Sequence, residues 1–401
     1  MLRRAVTAGL TALGAVLVAQ ASWSLLLLAA ARRVRATDRR SVDERLRFRV
    51  LIPAHDEEAT LPATLESLAE LDYPRDCSEI VVLADHCSDD TSGVARRAGA
   101  RAAERTVGRP GKGATLAWAL ARESSGVDAV VILDADCTVS PNLLTAAEQR
   151  LLAGQEVLQA DYVVANPEAS PTVRLRWVAL RLINTVRPAG RDALGLSCGL
   201  NGTGMVFAAR VLSAVGWPTE SLVEDREEHL LLVERGIRTR FAGEITVASD
   251  LPTTAAASHS QHQRWESGRW SLWRAWVPRL ARRAIGHRDP AAAGALIDLL
   301  TLPQAVVVTA GAATAAGGLV LSAAGPAALG TAALAGQAAF VLGGLRAVDA
   351  PPEAYRSLLV APGLVLRKLR VLVEVAVGAA PRTFVRTPRE QESATRRAGG
   401  A

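Results

Sequence analysis

The chain has 401 residues, 49% of them hydrophobic, and a formal net charge of +6. That length suits one large domain plus membrane segments, and the positive mean hydropathy is high for a soluble enzyme. The basic balance comes without aromatic-basic interleaving or any nucleic-acid motif, so nucleic acid is not an expected partner. Lys112 and Lys368 are the only lysines; every other base is arginine. Cys77, Cys87, Cys137 and Cys198 form no C-x-x-C and match no zinc spacing, which fits small buried residues in a reducing compartment.

From Thr7 to Ala31 no residue is charged, and a span needs about 20 residues. Met1-Leu2-Arg3-Arg4 could begin a signal peptide. The apolar run, however, exceeds a typical h-region of about 7–15 residues and meets a stop-transfer pattern at Arg32-Arg33-Val34-Arg35. An N-terminal anchor over residues 1–35 is expected, with the following segment in the cytoplasm.

Strands are expected at Phe48 to Ile52, Glu79 to Ala84 and Ala129 to Leu133, with helices at Leu61 to Leu71 and Asp89 to Gly99. This alternation predicts a parallel sheet wound with helices. Ligands then bind at the carboxyl ends of the strands, and Asp85 and Asp134 each stand just past such an end. The domain reads as residues 45–280.

Beyond Trp276 the chain turns basic, then strongly apolar. Leu302 to Ala323 and Ala327 to Leu345 read as two spans joined by a tight turn at Gly325-Pro326, and their alanines and glycines suit close packing. Leu358 to Val377 is apolar but broken by Arg367-Lys368-Leu369-Arg370. It reads as an interfacial or re-entrant helix, with a further span as the alternative. These segments make a membrane region over 290–380, followed by a polar tail over 381–401.

Several short patterns carry chemistry. Asp134-Ala135-Asp136 offers two carboxylates at i and i+2 past a strand end, the oxygen ligands that Mg²⁺ and Mn²⁺ prefer. Alone, the tripeptide is as readily a solvated turn. Gly108 to Ala114 is a glycine-rich turn before a helix, where backbone N–H groups favour phosphate and Lys112 adds a compact charge. A surface lysine is the alternative. Leu196 to Gly204 is a small-residue loop that lets backbone approach a ligand. Glu224-Asp225 suits a helix N-terminus or a general base. In Gln261-His262-Gln263-Arg264-Trp265, Gln261 and Arg264 share a helix face. Arginine can fork onto a diphosphate, and tryptophan can stack on a sugar. The alternative is an amphipathic helix at the membrane face, since Trp270, Trp273 and Trp276 follow.

The order Asp85, Asp134-Ala135-Asp136, Glu224-Asp225, Gln261-x-x-Arg264-Trp265 resembles the family 2 glycosyltransferases over residues 47 to 275. The branch in question is the membrane one, with cellulose synthase, hyaluronan synthase and ceramide glucosyltransferase. The resemblance implies a GT-A-type nucleotide-sugar domain, α/β with a Rossmann-like mixed sheet and helices on both faces, plus transmembrane helices. It implies inverting transfer in one displacement, with a UDP-sugar the expected donor. On this match Pro53 and Glu57 belong to the opening nucleotide-binding turn, where the family usually has Asn in place of Asp56. Asp85 meets the base edge, with His86-Cys87 replacing Gly-Ser, and Lys112 and Asp134 face the donor. Asp136 holds a divalent cation, Mn²⁺ or Mg²⁺. Asp225 is the general base of a T-E-D motif in which Val223 replaces Thr. Glu224, Gln261, Arg264 and Trp265 serve the acceptor and the diphosphate.

The expected acceptor is a growing polysaccharide or oligosaccharide, which Q-x-x-R-W favours. The alternative is a membrane lipid or polyprenyl carrier, which the small membrane part favours. A non-catalytic scaffold is disfavoured by the intact Asp134, Asp136, Asp225 and Arg264. The partners implied are the nucleotide sugar, the glycan or lipid acceptor, the bilayer, and an oligomer or secretion partner. The expected location is the cell membrane, multi-pass, with the catalytic domain cytoplasmic.

Overall fold

The computed structural model describes residues 1–32, 45–217, 223–253 and 255–376, without the side chains of 255–265, 375 and 376. The arginines at 33 and 35 and the polar tail lie outside the described residues.

Helix α1 (Leu2–Ala31) comes first. The strand–helix alternation then follows as β1 (Phe48–Ala54), α2 (Leu61–Ala69), β2 (Ser78–Asp85), α3 (Thr91–Arg97), β3 (Arg101–Arg105), α4 (Lys112–Glu123) and β4 (Ala129–Ile132). Strands β3, β2, β1 and β4 lie side by side and parallel. Val50 and Ile52 of β1 pack with Leu61 and Leu65 of α2, while Leu51 packs on the opposite side with Leu116 and Ala119 of α4. Burial on both faces is why the inner strands β1, β2 and β4 read as apolar runs, while the edge strand β3, Arg-Ala-Ala-Glu-Arg, does not.

The second half departs from the parallel sheet expected from the alternation. It contains β5 (Cys137–Val139), α5 (Leu143–Leu152), β6 (Val157–Val164), α6 (Pro171–Arg181), a π turn (Leu182–Val186) and α7 (Arg187–Ala193). It continues with β7 (Met205–Ala208), α8 (Ala209–Val215), α9 (Glu224–Glu234) and β8 (Thr239–Ser249). Strand β7 pairs antiparallel with both β4 and β6, and β5 antiparallel with β8, while β6 and β8 are parallel. The result is one mixed sheet of eight strands, ordered β3-β2-β1-β4-β7-β6-β8-β5.

The remaining helices are α10 (Ala255–Gly286), α11 (Pro290–Leu300), α12 (Gln304–Val320), α13 (Ala324–Ala347), α14 (Pro352–Ser357) and α15 (Ala361–Ala376). Among the described residues α1 and α13 are long and apolar enough to cross a membrane. A third span is reached only if α11 and α12, bent by 69° at their junction, count as one. The chain reverses before α13, with Ser322 at φ 49°, rather than at Gly325-Pro326. Proline is favoured in a first helical turn, so Gly325-Pro326 begins a helix instead of making the turn. Close packing of small residues does occur: a Cβ on Gly318 would lie 2.3 Å from the Ala327 nitrogen. Helix α1 also docks on the sheet domain, where a Cβ on Gly190 of α7 would lie 2.2 Å from the Leu27 carbonyl oxygen.

Candidate active site

The carboxyl ends of β1, β2 and β4 open into one cleft of about 2140 Å³ that Pro53, Glu57, Asp85, Lys112, Asp134, Asp136, Glu224 and Asp225 all line. Asp56, beside Glu57, has φ 55° and accepts the Ser88 N–H at 2.6 Å. Asparagine and aspartate both tolerate that left-handed backbone, so the exchange keeps the turn. Glu57 is held by its N–H to the Thr91 hydroxyl at 2.8 Å and by the Thr60 hydroxyl donating to its carboxylate at 2.6 Å.

Asp85 is 4% exposed. It accepts from Arg105 Nη1 at 2.5 Å and from the Gly111 N–H at 2.9 Å. Burial opposes its charge, but the Gly111 N–H, His86 and Arg105 hold the carboxyl below its ordinary value. Arg105 in turn donates to the Arg109 carbonyl at 2.8 Å, so the pair fixes the glycine-rich turn. Sequence reasoning misses Arg105. Its signal would be a buried arginine closing a strand, which composition does not mark.

Lys112 opens α4 and reaches across the cleft. Its Nζ donates to Asp134 Oδ1 at 2.5 Å and to the Gly202 carbonyl at 2.7 Å, and stands 4.0 Å from Glu224 Oε1. Gly202, at φ 83°, leaves space that matters: its Cβ would lie 3.4 Å from both Asp225 Oδ2 and Lys112 Nζ. The small-residue loop thus brings its backbone between lysine and acid. Burial opposes the Lys112 charge, but Asp134, Glu224 and Asp225 hold its pKa above the ordinary lysine value. Burial pushes Glu224 up to about 7 against the pull of Lys112, and it raises Asp225 as well. Both acids sit in the first turn of α9.

Oxygen atoms of Asp134 and Asp136 and the sulfur of Cys137 lie within 4.8 Å of one another. Burial, Asp136 and Asp134 push the Cys137 thiol well above its usual value, so it stays protonated. Two carboxylates remain as the donors, and that set fits Mg²⁺ or Mn²⁺.

Gln261, Arg264 and Trp265 lie on the backbone of α10, but their side chains fall outside the described residues. The helix itself is tied to the acid pair. A Cβ on Gly268, one turn further along, would lie 2.4 Å from Val223 Cγ1. Val223 directly precedes Glu224, so glycine at 268 lets α10 lie against the turn that carries the acids.

A model described as "Glycosyltransferase like family 2" matches residues 46–268, more than half of the chain. The chain belongs to this family. This family 2 glycosyltransferase is similar to glucomannan 4-beta-mannosyltransferase 2 of Arabidopsis thaliana, 28% identical over 156 residues, which are 38% of this chain and 29% of that one. It is also similar to the beta-monoglucosyldiacylglycerol synthase of Synechocystis sp., 25% identical over 240 residues, 57% of this chain and 49% of that one. The chain therefore spans less than half the length of either relative. In fold the glycosyltransferase is similar to mannosyltransferase PcManGT from Pyrobaculum calidifontis, solved in complex with GDP-Man and Mn2+. That likeness has a TM-score of 0.57 at 21% identity and covers 84% of this chain and 97% of the other.

Proposed function

We propose that this family 2 glycosyltransferase moves a sugar from a nucleoside diphosphate sugar to an acceptor drawn from the membrane, inverting the anomeric centre in one displacement. The observation that carries this reading is the extent of the cleft. It runs from Asp134, Glu224 and Asp225 to Leu302 and Val308 beside the bent helix pair, Val341 of α13 and Leu364 of α15. A water-borne glycan needs no such apolar wall; a lipid-borne acceptor does.

In the proposed step the acceptor oxygen attacks the anomeric carbon. The bond from that carbon to the diphosphate oxygen breaks, and its electron pair leaves on the nucleoside diphosphate. When the attacking group is a hydroxyl, its proton passes to the Asp225 carboxylate, whose raised pKa suits a base. Asp136 and Asp134 would hold a divalent cation, which when bound neutralises charge on the departing diphosphate. Lys112 and the helix start at Gly111 add positive potential beside it. UDP is the expected nucleotide by the family resemblance of Asp85 and Lys112. The arginines that follow α1 in the sequence favour a cytoplasmic side for the catalytic domain.

A second reading, extension of a glycan, is favoured by Gln261-x-x-Arg264-Trp265 and by the glucomannan mannosyltransferase relative. Membranes containing the enzyme, supplied with labelled UDP- and GDP-sugars, separate the two. Label that extracts into organic solvent supports the lipid-borne acceptor. Label retained as high polymer supports the glycan, and no transfer from either donor would defeat both.

A further inference from the structure

Between the catalytic acids and the membrane helices the cleft is basic. Arg187 and Arg191 of α7, Arg226 beside Asp225, and Arg269 of α10 all line it. These guanidinium groups are close enough to oppose one another. Burial brings Arg187 down to about 10 against the pull of Asp298, and the charges of Arg191 and Arg269 add to the lowering. Burial and Arg226 lower Arg269 as well. Two carboxylates answer them, and both are already engaged. Asp298 of α11 is paired with Arg191, and Glu266 of α10 with Lys368 at 2.7 Å. Arg187 feels Asp298 only at a distance: among the described residues it forms no ion pair, and its guanidinium lies over the Phe340 ring, 5.7 Å from the centroid.

Cations withdrawn from water without partners are costly, and crowding them adds repulsion. A bound anion relieves both costs. The apolar wall of the cleft continues past this cluster, through Leu182, Leu302, Val308 and Leu364. A cationic pocket that opens onto hydrocarbon fits an amphiphile with an anionic head. Resting on the membrane-acceptor reading above, we propose that Arg187, Arg191 and Arg269 seat the phosphate of a lipid acceptor, whose chain lies along this wall. Arg226, next in sequence to Asp225, then joins the headgroup pocket to the base.

The test uses the full-length enzyme in neutral detergent with a labelled nucleotide sugar. Four acceptors are compared: a long-chain polyprenyl phosphate, phosphatidylglycerol, diacylglycerol and a soluble oligosaccharide. The expected result is transfer to at least one lipid phosphate about tenfold or more above the two uncharged acceptors, as loss of a charge-assisted contact implies. Arg187→Gln should raise the KM for that lipid about tenfold with the donor KM unchanged, and Arg187→Lys should recover part of the loss. Use of polyprenyl phosphate alone would make the phosphate oxygen the nucleophile. Use of phosphatidylglycerol alone would make it a hydroxyl beside the phosphate. Equal transfer to diacylglycerol or the oligosaccharide, or an unchanged lipid KM in Arg187→Gln, overturns the proposal. Retention of lipid phosphate over its neutral counterpart, read by native mass spectrometry without donor, separates this inference from the reading beneath it. Selective retention lost in Arg187→Gln, but with no transfer, upholds the headgroup pocket and counts against the proposed reaction. Transfer without selective retention counts against the pocket alone.

Discussion

Lys112 and Asp134 face each other across the strand ends, Nζ to Oδ1 at 2.5 Å, from opposite sides of the cleft mouth. Among the described residues the lysine is the cation set directly between Asp134, Glu224 and Asp225. It offsets their mutual repulsion, which would otherwise add to the cost of their burial. A bound donor diphosphate and cation would replace that balance, freeing Lys112 to turn toward phosphate. On the proposed mechanism the same three acids would couple donor binding to the state of the base.

The first prediction concerns the metal. Asp136→Asn should abolish turnover while leaving the fold intact, because Asp136 sits at the cleft and outside the hydrophobic clusters. Wild-type activity should vanish in EDTA and return with Mn²⁺ or Mg²⁺. Full turnover in excess chelator, with circular dichroism unchanged, would remove the metal from the scheme.

The second concerns the base. Asp225→Asn should lower kcat by about 10²–10⁴-fold with UDP binding close to wild type, since the lost interaction belongs to the transition state. A base must be deprotonated to act, and burial raises both Asp225 and Glu224, the latter to about 7. For a hydroxyl acceptor kcat/KM should thus climb with pH toward neutrality, with an apparent pKa belonging to the pair. Arg264→Ala should instead weaken diphosphate binding. Calorimetry with UDP beside turnover decides: loss of UDP binding in Asp225→Asn would make it a donor ligand.

A third prediction reads stability against pH. Glu228 of α9 is fully buried, and among the described residues neither carboxyl oxygen has a hydrogen-bond partner. Burial pushes its pKa up to about 8. In the unfolded chain a glutamate titrates near about 4.3. From about pH 4.3 to about pH 8 the unfolded chain gives up this proton while the folded chain keeps it, so stability falls as pH rises across that window. Glu228→Gln should flatten the slope and raise Tm at pH 8 by roughly 2 °C or more. Thermal melts at pH 5 and pH 8 check this; parallel losses in variant and wild type would assign the slope to other groups.

The fourth concerns topology. Ser322 lies at the reversal between α12 and α13, beside the start of α1, where Arg3 donates to the Leu321 carbonyl. With that domain cytoplasmic, Ser322→Cys should react with a membrane-impermeant maleimide added to intact cells. A tag placed at Arg75, on the 3₁₀ turn before β2, should be reached only after permeabilisation. Labelling of Ser322→Cys only in lysed cells would invert the arrangement or place the turn within the bilayer.

The sequence by itself determined three of the four strands in the parallel half of the sheet, β1, β2 and β4, and the acids at their ends; the polar edge strand β3 was not legible. Strands buried on both faces must be apolar throughout, so β1, β2 and β4 announce themselves. Polar residues that close such a strand stand at its carboxyl end, so Asp85, Asp134 and Asp136 could be placed without coordinates. Helix α1 was legible for a similar reason, since a bilayer demands an uncharged run of fixed length. Only the tertiary structure decided the antiparallel half. Strand β5 is Cys137–Val139 alone, too short for any period, and exists because Val247 to Ser249 pair with it. The partner of Asp85, Arg105, sits at the end of a neighbouring strand, and the closeness of Gly202 to Asp225 joins a loop to a helix start, pairings that only the assembled sheet makes. The basic pocket is the clearest case. Arg187, Arg191, Arg226, Arg269 and Asp298 come from four helices spread over more than a hundred residues, in a chain rich in arginine throughout. Charge is read from composition, but whether charges meet depends on how helices pack, and no local pattern encodes that distance.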